Sequence, residues 1–223
     1  MSGHAREEIL GRLKSVSKNT PAARSAKPAL SEINLDREQL LQRFTSELNA
    51  QTGVVYQAQD KNDVIRILSG IASAEGLNSF LASSGDIYGV DVRALDSQNN
   101  ITISTARDFS SRKEFREAAF TVDAGITPAD FAVAETGTLG VIFHKDQPRI
   151  LSIAPPVHIA IVPVSKLYPV YENVIEHVFR NKNEIPSQFC FITGPSSSSD
   201  IQGVHFKGMH GPMKIFVIFI MNA

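Results

Sequence analysis

Val157-His-Ile-Ala-Ile-Val-Pro-Val164 is the stretch on which the fold turns. Apart from His158 it is apolar at odd and even positions alike, so a strand built from it buries both faces. Strands of that kind run in the middle of parallel sheets that carry helices on either side. Downstream, Val170, Val174, Ile175 and Val178 fall on one side of a helix, and Phe189 to Thr193 and Lys214 to Met221 read as further strands. Upstream, Phe131 to Val133 and Leu139 to Phe143 flank the turn Glu135-Thr-Gly-Thr138, Phe80 and Leu81 fit a short buried strand, and Ile101 and Ile103 an edge strand. Helix starts are marked by short-range polar pairs. Asp36 and Gln39 offer a capping box before Leu40, Leu41, Phe44 and Leu48, a helix that Gly53 ends ahead of the strand Val54 to Tyr56. Asp60 can cap a helix whose face is Val64, Ile65, Leu68, Ile71 and Ala72, and Ser111 with Glu114 precedes Phe115, Ala118 and Ala119. Helices alternating with such strands predict an α/β protein, an open sheet in three layers.

The 223 residues carry 22 Lys+Arg and 23 Asp+Glu, a formal charge of −1, and 43% are hydrophobic. Folding a chain of this length removes roughly 70% of its surface from water, so its core needs no covalent staple. Residues 1–34 read as a short helix, Ala5 to Lys14, followed by a linker rich in Ser, Ala, Pro and Lys. Residues 35–223 read as the main α/β domain. Balanced charge excludes a general nucleic-acid binder, which needs a basic stripe. The run Ile215 to Met221 is too short to span a bilayer, and the N-terminus lacks a signal-peptide apolar region, so a cytoplasmic protein is expected. Cys190 is the only cysteine. It excludes an intrachain disulfide, a multi-cysteine zinc site and a Cys-ligated iron–sulfur cluster, and its apolar strand predicts an inert buried thiol.

Ligands of open α/β sheets gather at the carboxyl ends of the strands, and three segments carry turn chemistry suited to that role. In the first, Thr127 is expected to cap a helical turn starting at Pro128, with Asp130 completing the box. Glu135 then stands among small neighbours just before the Gly137 turn. A carboxylate there is either a desolvated base or nucleophile, or one satisfied by backbone amides. The second is Thr193-Gly-Pro-Ser-Ser-Ser-Ser-Asp200, where Gly194 permits an unusual backbone angle and exposed amides suit a carboxylate or phosphate. It is not a P-loop, since no Gly-Lys-Ser/Thr follows. The third is Gly208-Met-His-Gly-Pro212, whose stiff Gly211-Pro212 turn holds His210 in place as an acid, a base or a hydrogen-bond donor, or as a turn residue bonded to backbone. His205 and His210 lack the i, i+4 spacing of a zinc-binding helix, and no carboxylate pattern supports them as ligands. His158, inside the apolar run, reads as a satisfied core residue.

Asp123-Ala-Gly-Ile-Thr-Pro-Ala-Asp130, Ala132-Val-Ala-Glu-Thr-Gly-Thr138, Pro155-Pro-Val-His158, Ile192-Thr-Gly-Pro-Ser196 and His210-Gly-Pro212 together resemble the lactate utilization domain family, its lactate utilization protein C members in particular. The order of Glu-Thr-Gly-Thr and His-Gly-Pro carries most of the specificity. The resemblance implies a fold similar to the ribose-phosphate isomerase and CoA-transferase-like superfamily. It also implies an accessory role in oxidising L-lactate to pyruvate beside two iron–sulfur partner proteins, with the clusters in those partners and no cofactor bound by this chain. Glu135 and His210 are then the candidate catalytic residues. Thr136, Gly137, Thr138, Gly194, Pro195, Ser196, Asp200 and Gly211 are the candidate ligand-binding ones, for a small carboxylate or phosphate. An alternative on the same fold is a stand-alone acyl- or phosphosugar-processing enzyme using Glu135, and a third is a structural or regulatory binding module. The family loop usually continues after Gly-Pro-Ser with Arg and Thr, where this chain has Ser197, Ser198 and Ser199. Its loop thus lacks the bidentate clamp an arginine supplies.

Overall fold

The computed structural model describes residues 3–15, 34–96, 100–143, 147–180, 186, 188–198, 206–208 and 210–222. The chain divides into two units, Met1–Glu32 and Ile33–Ala223. In the first, α1 (Gly3–Ser15) is a helix with Ile9, Leu10 and Leu13 exposed.

The second unit starts where the polar pair predicts. Asp36 accepts from the Gln39 amide and Gln39 answers on the Asp36 amide, which opens α2 (Arg37–Ala50) and buries Leu40, Leu41, Phe44 and Leu48. After β1 (Val54–Ala58), Asp60 caps α3 (Lys61–Glu75), and Gly76 closes it in the left-handed conformation. Then come β2 (Ser79–Ala82), the small hairpin β3 (Asp86–Ile87) and β4 (Val90–Asp91), β5 (Thr102–Thr105) and α4 (Arg112–Ala118), capped by Ser111. The second half holds β6 (Ala124–Pro128), β7 (Phe131–Val133), β8 (Thr138–Ile142), β9 (Val157–Pro163), β10 (Leu167–Tyr168) and α5 (Tyr171–Phe179). It ends with β11 (Phe189–Thr193), β12 (Ser197–Ser198), β13 (Phe206–Lys207) and β14 (Lys214–Ile220).

The main sheet is parallel throughout, in the order β1-β14-β9-β6-β2-β5, and β9 is buried at every position, as its two-faced apolar pattern requires. One face packs on α3 through Val64, Leu68, Phe80, Ile159 and Ile218. The other packs on α2 through Leu41, Phe44, Ala160, Val162 and Phe219, with Phe44 and Phe219 edge-to-face at 5.0 Å. This is the expected three-layer open sheet.

Three expected strands do not join it. Phe131–Val133, Thr138–Ile142 and Phe189–Thr193 form a second sheet with β10, ordered β10-β7-β8-β11, which packs its Ala132 and Leu139 on the α2 side and its Phe131 and Val133 against α5. The reason is the connection. Only residues 134–137 separate β7 from β8, too few for a parallel crossover, so the two pair antiparallel. The helical turn expected at Thr127 to Asp130 is also absent. Thr127 lies within β6, and the Asp130 carboxylate accepts instead from the Ile142 amide at 2.7 Å. Cys190 is half-buried rather than fully buried, because β11 is the last strand of the small sheet. Among the described residues no helix is long and apolar enough to cross a membrane.

Candidate functional site

The carboxyl ends of β6 and β9, where a ligand was expected, are covered by the protein's own side chains. The Tyr88 hydroxyl donates to the Ala129 carbonyl at 2.8 Å, and Arg37 donates to the carbonyls of Val164 and Leu167 at 2.8 and 2.9 Å. Burial, and secondarily the Asp130 charge, pushes the Tyr88 hydroxyl pKa up, so it stays a neutral donor.

Two of the three candidate segments meet instead at the amino edge of the sheet. Ser152 and Ile153 lead into β9, and His210 to Pro212 lead into β14. Together with the loop that leaves β11, these segments wall a cleft of about 190 Å³ between the two sheets. Its lining includes Gly194, Pro195, Ser196, His210, Gly211 and Pro212, so two of the three motifs read from sequence face one space. Backbone bonds hold them there. The Ser196 amide donates to the Pro212 carbonyl at 2.9 Å, the Gly208 amide donates to the Ser196 carbonyl at 2.9 Å, and the Met213 amide donates to Pro156 at 2.8 Å. Gly211 is needed for the approach, since a Cβ there would sit 3.0 Å from the Ser196 Cβ. Gly194 takes the left-handed conformation, φ 72°, as its turn demands.

The third motif stands beside the cleft. Glu135 is half-buried in the β7–β8 turn, its amide donating to the Pro169 carbonyl at 3.0 Å, and it is not among the residues that line the cleft. Gly137, at φ 62°, lies hard against the Leu48 backbone of α2. The buried Thr138 hydroxyl joins those of Thr136 (2.8 Å), Tyr171 (2.9 Å) and Thr193 (2.6 Å), which ties the Glu135 turn to the loop that opens with Gly194. Asp200 lies outside the described residues.

The residue sequence reasoning undervalued is His158. It is 1% exposed on the floor of the cleft, with Nε2 2.8 Å from the Thr127 hydroxyl on the paired strand β6. Its Nδ1 has no hydrogen-bond partner, so it is a half-satisfied core residue. Burial lowers its pKa to about 4, which keeps the ring neutral at physiological pH. A signal was present in the sequence: Thr127 and His158 are the polar interruptions of two apolar strands, though their pairing was not legible. Ser152, Ile153, Phe191, Ile192 and Ile215 complete the cleft and carried no motif. Its described lining holds two histidines and two serines but no lysine, arginine or carboxylate. Among the described residues no group of three or more His, Cys, Asp or Glu is placed to hold a metal ion.

Such a cleft can hold a small molecule by hydrogen bonds to its polar side chains and by contact with its apolar ones. Residues 41–220, which contain it entirely, match the LUD domain family, and the chain belongs to that family. It is 28% identical to an uncharacterized protein of Neisseria meningitidis serogroup B over 97% of this chain and 94% of that one. Lactate utilization protein C from Anoxybacillus flavithermus is 38% identical over 48% of this chain and 47% of its own length. The Bacillus subtilis protein of that name is 34% identical over 52% and 49%. The matched segments thus span about half of each lactate utilization protein C. A DUF162 family protein from Deinococcus radiodurans shares the fold, with a TM-score of 0.61 at 22% identity over 83% of this chain and 99% of that structure.

Proposed function

We propose that this chain is an accessory component of a lactate utilization system, one that oxidises L-lactate to pyruvate together with two iron–sulfur partner proteins. In this reading it holds a small anionic ligand and the partners carry the electrons. The observation that carries the reading is the meeting of Gly194-Pro195-Ser196 with His210-Gly211-Pro212 at one cleft inside the LUD domain. A chain with one cysteine cannot supply the thiolates of an iron–sulfur cluster, which supports placing the clusters in the partners. The lactate utilization protein C relatives support the metabolic setting.

Deletion of the gene, with growth on L-lactate as sole carbon source and affinity purification of the tagged chain, tests this. Growth should fail and return with the intact gene, and iron-containing proteins should co-purify. His210→Ala should restore growth poorly while the protein keeps its thermal stability. Unimpaired growth of the deletion strain, with no iron-containing partner recovered, would overturn the proposal.

A further inference from the structure

A second cavity, of about 740 Å³, lies against α4, and Ile153 stands between it and the cleft, lining both. Three arginines line it. Arg112 and Arg116 come from α4 at i, i+4 spacing, which puts them on one face of the helix, and Arg149 comes from the turn Arg149–Ser152 ahead of β9. All three are exposed, and none forms an ion pair with a described residue. The acids of α4 are engaged elsewhere. Glu114 accepts from the Ser110 amide at 3.0 Å, and Glu117 pairs with Lys113 at 3.8 Å. The described lining contains no carboxylate. Like charges at i, i+4 weaken a helix, so a mouth that gathers guanidinium groups while the acids turn to other partners lacks a counter-charge. The floor is apolar. Phe115 is buried in a cluster with Leu81 and Leu151, Phe109 meets it edge-to-face at 5.6 Å, and Ile150 continues the surface.

We infer that this cavity binds a nucleoside di- or triphosphate, its phosphates on Arg112, Arg116 and Arg149 and its base against Phe109 and Ile150. The guanidinium fork matches phosphate oxygens two at a time. A single carboxylate would engage one fork and leave the other two without a counter-charge, whereas two or three phosphates carry enough charge for all three. The aromatic floor offers what a bare polyphosphate does not use, a flat apolar surface on which a base stacks. The Ser111 hydroxyl, which accepts from the Glu114 amide, keeps its proton to donate to the sugar or a phosphate. A volume of about 740 Å³ falls within the range of sites for drug-sized molecules, and a nucleotide is of that size. Nothing in this site depends on the lactate role proposed above.

Isothermal titration calorimetry of the full chain, in buffer free of divalent cations, tests this with ATP, ADP, GTP, AMP, inorganic triphosphate and a polyglutamate peptide. At least one of ATP, ADP and GTP should bind at a single site, with affinity falling as salt is raised. AMP and inorganic triphosphate should each bind at least about tenfold more weakly than the tightest of these, the first lacking phosphates for the arginines and the second lacking the base. Arg149→Ala, at an exposed position, should weaken nucleotide binding about tenfold, and Arg149→Lys, which keeps the charge without the fork, should weaken it less. No binding of ATP, ADP or GTP at millimolar concentration overturns the assignment. Inorganic triphosphate or the polyglutamate peptide binding as tightly as the nucleotides overturns it too, making the cavity an unselective anion site or a peptide-docking surface. Nucleotide binding that Arg149→Ala leaves untouched would put the nucleotide elsewhere on the chain and also overturns the assignment.

Discussion

The hydroxyls of Thr138 and Thr193 lie 2.6 Å apart, joining the turn that carries Glu135 to the loop that begins at Gly194. The two residues face each other across the antiparallel β8–β11 pair, and Thr138 is fully buried. Tyr171 and Thr136 bond to the same Thr138 oxygen, so one side chain organises three partners.

Thr138→Val keeps the shape and removes the shared oxygen. It should destabilise the protein by about 1–3 kcal/mol, because buried partners lose their common bond. Thr193→Val, at an exposed position, should cost less. The double variant should cost less than the sum of the two, with a coupling of about 0.5–1 kcal/mol in urea denaturation. Strict additivity would show that the hydroxyl pair carries no energy.

His158 makes stability depend on pH in a defined window. Its folded pKa, about 4, lies below the ordinary value of 6.5 because burial disfavours the charged ring. Between those values the unfolded chain binds a proton that the native protein does not, so stability falls as pH drops through the window. The loss from pH 7 to pH 5 should be about 2 kcal/mol, read from urea midpoints at the two values. His158→Phe should flatten that interval. An unchanged slope in the variant would assign the effect elsewhere. The lowered carboxylates Asp63, Asp108 and Asp123 act only further down, as pH falls below their ordinary value of 3.8.

Asp123 clamps the entry of β2 to that of β6. Its Oδ2 accepts from the amides of Asn78 and Ser79 and from the Ser79 hydroxyl, each at 2.8 Å. Burial works to raise its pKa, and these bonds outweigh burial and hold it below the usual range. Asp123→Ala should cost about 2–3 kcal/mol, and Asp123→Asn, which keeps an acceptor, clearly less. Equal losses for the two would mean that the charge, not the acceptor, matters.

Gly137 has two reasons to be glycine. Its φ is 62°, and a Cβ would come within 2.4 Å of the Leu48 amide nitrogen on α2. Gly137→Ala should therefore destabilise by more than about 2 kcal/mol, since backbone rather than a flexible side chain must yield. Gly70→Ala, on the exposed side of α3 with open space around it, should be neutral or stabilising by a few tenths of a kcal/mol. Thermal unfolding of the two variants side by side checks both statements.

Much of this protein was determined by sequence alone, and the reason is range. The Asp36–Gln39 box, the Asp60 cap and the Ser111 cap are bonds between residues three apart, decided before any tertiary contact forms. The apolar run ending at Val164 likewise specifies a strand buried on both faces whatever its neighbours are. Motif order was also legible, so that two of the three candidate loops were identified before they were seen to face one cleft. What only the tertiary structure decided depends on pairing between distant strands. The small sheet brings Thr193 to Thr138 across 55 residues, and the main sheet brings Thr127 to His158 across 31. No local preference encodes which strand a strand chooses, and that choice moved the cleft to the amino edge and left Nδ1 of a core histidine buried without a partner.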